Sequence, residues 1–154
     1  MKKALFLDRD GVINIDKHHT YLKEDFEFSK GIFDLCNEYS DSGFLIIVIT
    51  NQAGIAKGYY TEADYQLLTD WMIEQFRKKG ITISKVYHCP HHPDITGPCD
   101  CRKPNPGMLT KAIKEFDLNI SECVLIGDKE SDLQAGRNAG IPDSNLIKYL
   151  PYPL

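Results

Sequence analysis

Residues 4–11 read ALFLDRDG, a short apolar run that ends in two acidic residues and a glycine. Further apolar runs lie at 44–49, 81–87 and 123–126, and a weaker one lies at 145–149. They are rich in Val, Ile, Leu and Phe and show little alternation between apolar and polar residues. This pattern is typical of strands that are buried on both faces of a parallel sheet.

Segments with helical periodicity separate these runs. Apolar residues recur at helical spacing in 31–42, 62–79, 106–116 and 133–139. Strands that alternate with helices predict βαβ units and right-handed crossovers. We therefore predict a single α/β domain over residues 1–154, of Rossmann-like type, in which helices flank a parallel sheet.

The composition is that of an ordinary globular protein. Of 154 residues, 42% are hydrophobic and 26% are charged, which argues against disorder, collagen-like repeats and coiled coils. The formal net charge of −4 argues against non-specific nucleic-acid binding and against a basic membrane patch. The N-terminal apolar run is too short for a signal peptide, and no apolar run reaches about 18 residues. We expect a cytoplasmic monomer that binds neither nucleic acid nor a membrane.

Polar side chains follow three of the predicted strands. In open parallel sheets ligands bind outside the carboxyl ends of the strands, so we expect these side chains to meet at one edge. Each group alone is more simply explained as a turn or a helix cap, but three such groups at one edge are an improbable coincidence. The groups are Asp8 and Asp10 after the first strand, Thr50, Asn51 and Gln52 after the second, and Asp128 after the fourth.

The charges at this edge predict a cation site. The carboxylates of Asp8, Asp10 and Asp128 would repel one another without a cation, and hard oxygen ligands suit Mg²⁺. Arg102 and Lys103 lie in a loop near the exit of the third strand, although on their own they are typical of a solvated surface pair. At about 4 Å and an effective dielectric constant near 20, each pairing of opposite charges is worth roughly 4 kcal/mol before desolvation. Such pairings would let a carboxylate approach a phosphate dianion.

The loop at 89–105 reads CPHHPDITGPCDCRKPN and lacks hydrophobic periodicity. It is long for a compact domain, so something other than apolar burial must order it. Cys89, His91, Cys99 and Cys101 offer three thiolates and an imidazole, the ligand set of a structural zinc site. The odd total of five cysteines also indicates metal ligands or buried thiols rather than a disulfide framework.

The zinc interpretation has alternatives at this stage. The spacing is not that of a zinc finger or ribbon, so reduced loop cysteines with exposed histidines remain an option, and His88 and His92 are competing ligands. We define the zinc loop as residues 88–105. If zinc orders this loop, it also positions Arg102 and Lys103, because these two residues follow the last ligand directly.

Taken together, the motifs resemble those of the haloacid-dehalogenase (HAD) superfamily of phosphohydrolases. The shared features are Asp-x-Asp-Gly after the first strand, Thr after the second, a loop Lys, and Gly-Asp-x-x-x-Asp after the fourth, in this order over residues 4–132. The strings DRDGVIN, TNQAGIAKG, CPHHP, CDCRKPNPGML and GDK are similar to those of heptose bisphosphate phosphatases and of histidinol-phosphate phosphatases in this superfamily. The gaps between the motifs leave no room for a separate cap domain, so we expect an open site that only loops cover.

The resemblance implies a role for each matching residue. Asp8 would be the nucleophile that forms an aspartyl-phosphate, and Asp10 the general acid and base. Mg²⁺ would be held by the side chains of Asp8 and Asp128 and by the main-chain carbonyl of Asp10, while Thr50 and Lys103 would neutralise the phosphoryl oxygens. The positions that match substrate contacts in the family are Asp16, Asn51, Gln52, Arg102 and Lys129.

Two further residues are assigned by the resemblance. It places His91 as the zinc-loop histidine, and it implies that Asp132 orients the lysine or a metal-bound water. The chain departs from the family after Gly140, where we expect one short strand and no final helix, which leaves the sheet edge less protected.

The implied activity is Mg²⁺-dependent removal of the 7-phosphate of a heptose 1,7-bisphosphate, in the biosynthesis of ADP- or GDP-heptose for surface glycans. Histidinol-phosphate phosphatase activity is the close alternative. A non-catalytic, zinc-stabilised binding module is a third interpretation, which the full set of catalytic residues argues against.

Overall fold

Five strands pair in parallel within residues 2–150, which are the residues that the computed structural model describes. The two ends of the predicted domain, Met1 and residues 151–154, lie outside the described residues. The order across the sheet is β3–β2–β1–β4–β5. The strands are β1 (Lys3–Leu7), β2 (Phe44–Asn51), β3 (Ile83–Cys89), β4 (Val124–Gly127) and β5 (Leu146–Lys148).

Helices connect the strands. They are α1 (Ile32–Asp41), α2 (Glu62–Lys78), α3 (Pro93–Thr96), α4 (Gly107–Glu115) and α5 (Glu130–Ala139), with short 3₁₀ turns at Lys23–Asp25, Ile120–Glu122 and Asp143–Asn145. The long helix α2 begins with a capping box. The Thr61 hydroxyl accepts a hydrogen bond from the Asp64 amide at 3.0 Å, and the Asp64 carboxylate accepts one from the Thr61 amide at 2.9 Å.

The sheet is covered on both faces, and this explains the missing alternation in the strand sequences. Side chains such as Phe6 and Ile47 pack with α4 and α5 on one face. Their neighbours Leu5 and Val48 pack with α1 and α2 on the other face. Because successive strand residues point to opposite faces, a sheet with two apolar layers requires apolar residues at nearly every strand position.

The predicted α/β fold, a parallel sheet flanked by helices, is confirmed, with strand and helix bounds shifted by a few residues. The third strand begins at Ile83 rather than at residue 81. The loop at 89–105 is less irregular than predicted, because it contains the single turn α3, which Pro93 starts and the His92 side chain caps.

The connections between the site-bearing strands are short. In the described part of the chain, α1 is the only α-helix between β1 and β2, and α2 the only one between β2 and β3, so no cap domain is present there. No helix within residues 2–150 combines the length and the apolar character needed to cross a bilayer.

Candidate active site and metal-binding clusters

A cavity of about 460 Å³ opens at the carboxyl edge of the sheet. The strands β2, β1 and β4 are neighbours, so the polar groups that follow them lie at this edge of the sheet. Thr50 is buried beside this cavity, and Asp128 faces a second cavity of about 640 Å³ on the other side of the β1 turn. The remaining predicted residues all line the first cavity, namely Asp8, Asp10, Asp16, Asn51, Gln52, Arg102, Lys103 and Lys129.

The floor of the cavity is a buried ionic cluster around Lys103. The Lys103 ammonium lies 2.9 Å from Asp8 Oδ1 and 2.6 Å from Asp132 Oδ1, and it donates to the Ile49 carbonyl at 3.2 Å. The Lys103 side chain is 3% exposed and that of Asp132 is 2% exposed. Each proton of the ammonium therefore has an acceptor, which a buried lysine requires.

The pKa values in this cluster reflect burial first and charge second. Burial raises the pKa of Asp8 to about 8, although the Lys103 ammonium opposes this shift and the Asp132 carboxylate adds to it. Burial alone would lower the pKa of Lys103, but the carboxylates of Asp8 and Asp132 raise it above its usual value. The single positive charge of Lys103 does not balance the negative charge of the carboxylates around it.

Asp128 brings a third carboxylate to the cluster. Carboxylate oxygens of Asp8, Asp128 and Asp132 lie within 4.8 Å of one another. Asp128 Oδ1 is buried without a hydrogen-bond partner among the described residues, and burial raises the pKa of this carboxyl. An orphaned, buried carboxylate oxygen in an excess of negative charge fits a hard cation.

Asp132 is engaged elsewhere in the cluster. Its Oδ1 meets the Lys103 ammonium, and its Oδ2 accepts a hydrogen bond from the Lys129 amide at 3.0 Å. Asp132 was predicted to orient the lysine or a metal-bound water, and its contact with the Lys103 ammonium agrees with the first of these roles.

The turn after β1 requires a glycine. A Cβ atom on Gly11 would lie 2.1 Å from Asp128 Oδ2, and the backbone there has a φ of +95°. Gly11 therefore lets the Asp128 carboxylate pack against the turn that carries Asp8 and Asp10.

The Asp10 carboxylate is held by four N–H groups. Its Oδ1 accepts from Arg9 Nε at 3.0 Å and from Asn14 Nδ2 at 3.0 Å. Its Oδ2 accepts from Arg9 Nη2 at 3.1 Å and from Gln52 Nε2 at 3.2 Å. Arg9 is only 1% exposed, and its Nη2 also donates to the Thr20 carbonyl at 2.9 Å. The carboxylate thus has a fixed orientation toward the cavity.

The side-chain amide of Asn51 clamps the loop that carries Lys103. Asn51 Oδ1 accepts from the Lys103 amide at 3.1 Å, and Asn51 Nδ2 donates to the Lys103 carbonyl at 3.4 Å. The end of β2 is therefore fastened to the loop at the residue that enters the ionic cluster.

The mouth of the cavity carries both signs of charge. Asp16 and Lys129 face each other at 4.0 Å, and Arg102 donates to the His91 carbonyl at 3.3 Å. Other residues at the cavity wall were not predicted as site residues, and among them are His18, His19, Lys57, Tyr60 and Ser131.

The four predicted thiol and imidazole ligands converge. Cys89 Sγ lies 3.5 Å from His91 Nδ1 and 3.6 Å from Cys99 Sγ, and Cys101 Sγ lies 3.2 Å from the same nitrogen and 3.7 Å from the same sulfur. With Zn–S near 2.3 Å and Zn–N near 2.0–2.1 Å, a tetrahedral site requires edges of about 3.5–3.8 Å. The sulfur pairs are too far apart for disulfides, for which S–S is about 2.05 Å. The cluster can hold a tetrahedral metal ion.

The side chains of the two competing histidines contact residues outside the cysteine cluster. His88 Nε2 lies 2.9 Å from the Glu62 carboxylate, and its ring stacks on Tyr65. His92 accepts the Asp94 amide hydrogen bond that caps α3. Of the three histidines in the segment, His91 is the one that joins the cysteines.

Sequence reasoning did not identify Arg9 and Tyr60. Arg9 stands between two aspartates in a motif that suggests an exposed turn, yet a buried loop carbonyl and the Asp10 carboxylate surround it. The sequence Asp8-Arg9-Asp10 could have indicated this role, since an arginine beside a carboxylate can form a bidentate pair with it. Tyr60 gave no signal beyond that of an ordinary packed aromatic residue.

The chain is similar to known phosphatases along nearly its whole length. A family model described as HAD-hydrolase-like matches residues 100–143. A D-glycero-alpha-D-manno-heptose-1,7-bisphosphate 7-phosphatase from Campylobacter jejuni is 55% identical over 139 residues, which cover 90% of this chain and 78% of the relative. A D-glycero-beta-D-manno-heptose-1,7-bisphosphate 7-phosphatase from Helicobacter pylori is 46% identical over 146 residues, with coverage of 94% and 83%.

A solved structure supports the same relationship. The D,D-heptose 1,7-bisphosphate phosphatase from B. bronchiseptica, complexed with magnesium and phosphate, matches with a TM-score of 0.83 at 30% identity. The match covers 90% of this chain and 76% of that chain.

The raised pKa of Asp8 predicts a pH dependence of stability in metal-free buffer. Between the ordinary value of 3.8 and the raised value of about 8, the folded state holds a proton on Asp8 that the unfolded state has lost. The free energy of unfolding should therefore fall as pH rises across this interval, and the Asp8→Asn variant should lack this component. Urea denaturation of both proteins at a series of pH values measures the difference, and parallel profiles would contradict the prediction.

Proposed function

The chain belongs to the heptose-1,7-bisphosphate 7-phosphatase family of HAD-type hydrolases, and from this premise we propose how its own residues remove the phosphate. It is a phosphoric monoester hydrolase that acts on the 7-phosphate of D-glycero-D-manno-heptose 1,7-bisphosphate. The observation that carries the proposed mechanism is the buried cluster of Asp8, Lys103 and Asp132 at the floor of the cavity.

Asp8 and Asp10 carry the two covalent steps. A carboxylate oxygen of Asp8 forms a bond to phosphorus while the bond from phosphorus to the heptose oxygen breaks, and Asp10 gives that oxygen a proton. In the second step Asp10 takes a proton from water, whose oxygen bonds to phosphorus as the bond to Asp8 breaks and inorganic phosphate leaves. The four N–H groups around Asp10 support this role, because they aim its carboxylate at the cavity that Asp8 also lines.

Positive charge and hydrogen-bond donors at the floor stabilise the transferring phosphoryl group. Lys103 is adjacent to Asp8, and with the Thr50 hydroxyl it neutralises phosphoryl oxygens, since catalysis of this reaction is mostly positioning and electrostatics. The side chains of Asp8 and Asp128 and the main-chain carbonyl of Asp10 would hold Mg²⁺. When bound, Mg²⁺ supplies the positive charge that lets a phosphate dianion approach a carboxylate.

Residues at the cavity mouth bind the rest of the substrate. Asp16, Arg102 and Lys129 line the mouth and offer charge of both signs to sugar hydroxyls and phosphate. Asn51 and Gln52 line the same wall, and they combine substrate contact with the hydrogen bonds that fix Lys103 and Asp10.

The Cys89, His91, Cys99 and Cys101 cluster binds a structural Zn²⁺. The distances between the four ligand atoms support this assignment, as does the closed set of four ligands. Structural zinc contributes about 10–16 kcal/mol of apparent binding free energy in small domains, enough to order this loop. Zinc thereby positions Lys103 without joining the chemistry.

The enzyme acts in the cytoplasm as a monomer, on the route to ADP- or GDP-heptose. Thiolate ligands persist in a reducing compartment, which supports the location.

Replacing the nucleophile tests the activity. We expect Asp8→Asn to remain folded by circular dichroism and to release no phosphate from either anomer of heptose 1,7-bisphosphate. Asp34→Asn, at an exposed aspartate on α1, should retain full turnover. Full activity in Asp8→Asn would refute the mechanism, and faster hydrolysis of histidinol phosphate than of heptose bisphosphate by the wild type would favour the alternative substrate.

Neighbouring histidines provide a matched test of the zinc site. The wild type and His92→Asn should each contain about one zinc ion per chain by elemental analysis, because asparagine can still cap α3. His91→Asn should lose zinc, unfold at a lower temperature and hydrolyse substrate more slowly, because the loop no longer fixes Lys103. Wild-type protein that is purified without chelator and contains no zinc would contradict the assignment.

A further inference from the structure

The Gln52 side chain connects two groups of the proposed mechanism to a buried tyrosine. Gln52 Nε2 donates to Asp10 Oδ2 at 3.2 Å and to Thr50 Oγ1 at 2.8 Å. On the other side of the amide, the Tyr60 hydroxyl donates to Gln52 Oε1. Gln52 is 2% exposed and Tyr60 is 5% exposed, so solvent has little access to these contacts.

The polarity of this chain of hydrogen bonds is fixed at the tyrosine. Asp10 Oδ2 accepts from Gln52 Nε2, so the Gln52 amide presents its NH₂ group to this carboxyl oxygen. Gln52 Oε1 then needs a donor, and Tyr60 provides one. Burial raises the pKa of Tyr60 to about 12, which keeps the phenol protonated near neutral pH. Without this donor, a flipped amide would turn its oxygen toward the carboxylate.

The same amide orients the Thr50 hydroxyl. Because Thr50 Oγ1 accepts from Gln52, its own hydrogen must point away from the amide. The other contact of this hydroxyl is a long one, 3.4 Å to the Asn51 carbonyl, so it can exchange that contact for a phosphoryl oxygen.

Packing fixes the position of the Tyr60 ring. A Cβ atom on Gly54 would lie 2.3 Å from Tyr60 Cε1, so the glycine leaves room for the ring. The ring stacks on Tyr21 with centroids 5.4 Å apart, and the adjacent Thr20 carbonyl accepts from Arg9, which holds Asp10. Thr20 and Tyr21 are therefore connected to Asp10 by two routes, one through Arg9 and the other through Tyr60 and Gln52.

We propose that Tyr60 is a positioning residue of the phosphatase, and that it acts through the Gln52 amide to orient both Asp10 and Thr50. This inference rests on the proposed function, in which these two groups act on the leaving oxygen and on the phosphoryl group.

Removal of one hydroxyl tests the inference. Tyr60→Phe keeps the stacked ring and should lower kcat for heptose 1,7-bisphosphate roughly ten- to hundredfold, with KM changed by less than about twofold. Tyr87→Phe is the matched control, because it removes a phenol hydroxyl that donates to Glu115 at 2.8 Å away from the cavity. It should leave both constants within about twofold of the wild type.

A double-mutant cycle separates positioning from a general structural effect. If Tyr60 acts through Gln52, Tyr60→Phe should add little further loss of kcat in a Gln52→Met background. Additive losses, or an unchanged kcat in the single variant, would overturn the inference. Failure of the proposed function would look different, as a wild-type enzyme without activity on heptose bisphosphate or an Asp8→Asn variant that retains it.

Discussion

The site depends on the buried ion pairs that the Lys103 ammonium forms. This ammonium lies between Asp8 and Asp132, and the loss of one partner from such a buried pair typically costs about 3–5 kcal/mol. Lys103 comes from a loop without a hydrophobic core of its own, so the Asn51 clamp and the Cys/His cluster must hold it in place. With Asp128 nearby, the carboxylates still outnumber the ammonium, and a cation and a phosphate dianion together complement this charge pattern.

Much of the fold and the outline of the site could be predicted from sequence. Uninterrupted apolar runs specify strands buried on two faces, and parallel strands place Asp8, Thr50 and Asp128 at one edge whatever their order in the sheet. A site of three cysteines and one histidine was predictable from residue type, since metal ligands are selected by chemistry, whereas the choice of His91 over His88 and His92 came from the family resemblance. The one-turn helix α3 was missed because its signals, Pro93 and a capping histidine, occur within a segment without periodicity.

The hydrogen-bond partners inside the site could not be predicted. Arg9 and Tyr60 lie outside the helices and strands and are nevertheless buried, and residues buried in this way leave no periodic pattern in the sequence. Asn51 and Gln52 were expected at the substrate, and they are indeed at the cavity, but their amides are also bonded to Lys103 and Asp10. Only the three-dimensional arrangement shows that the two amides proposed to contact substrate also hold Lys103 and Asp10.

The most direct test of Asp8 as the nucleophile beside Lys103 is chemical trapping of the intermediate. Enzyme quenched during turnover of heptose 1,7-bisphosphate and reduced with borohydride would convert an aspartyl-phosphate to homoserine, which peptide mass spectrometry can locate. The expected result is homoserine at position 8 in the wild type and none in Asp8→Asn. Homoserine at position 10, 128 or 132, or none in an active enzyme, would contradict the assignment.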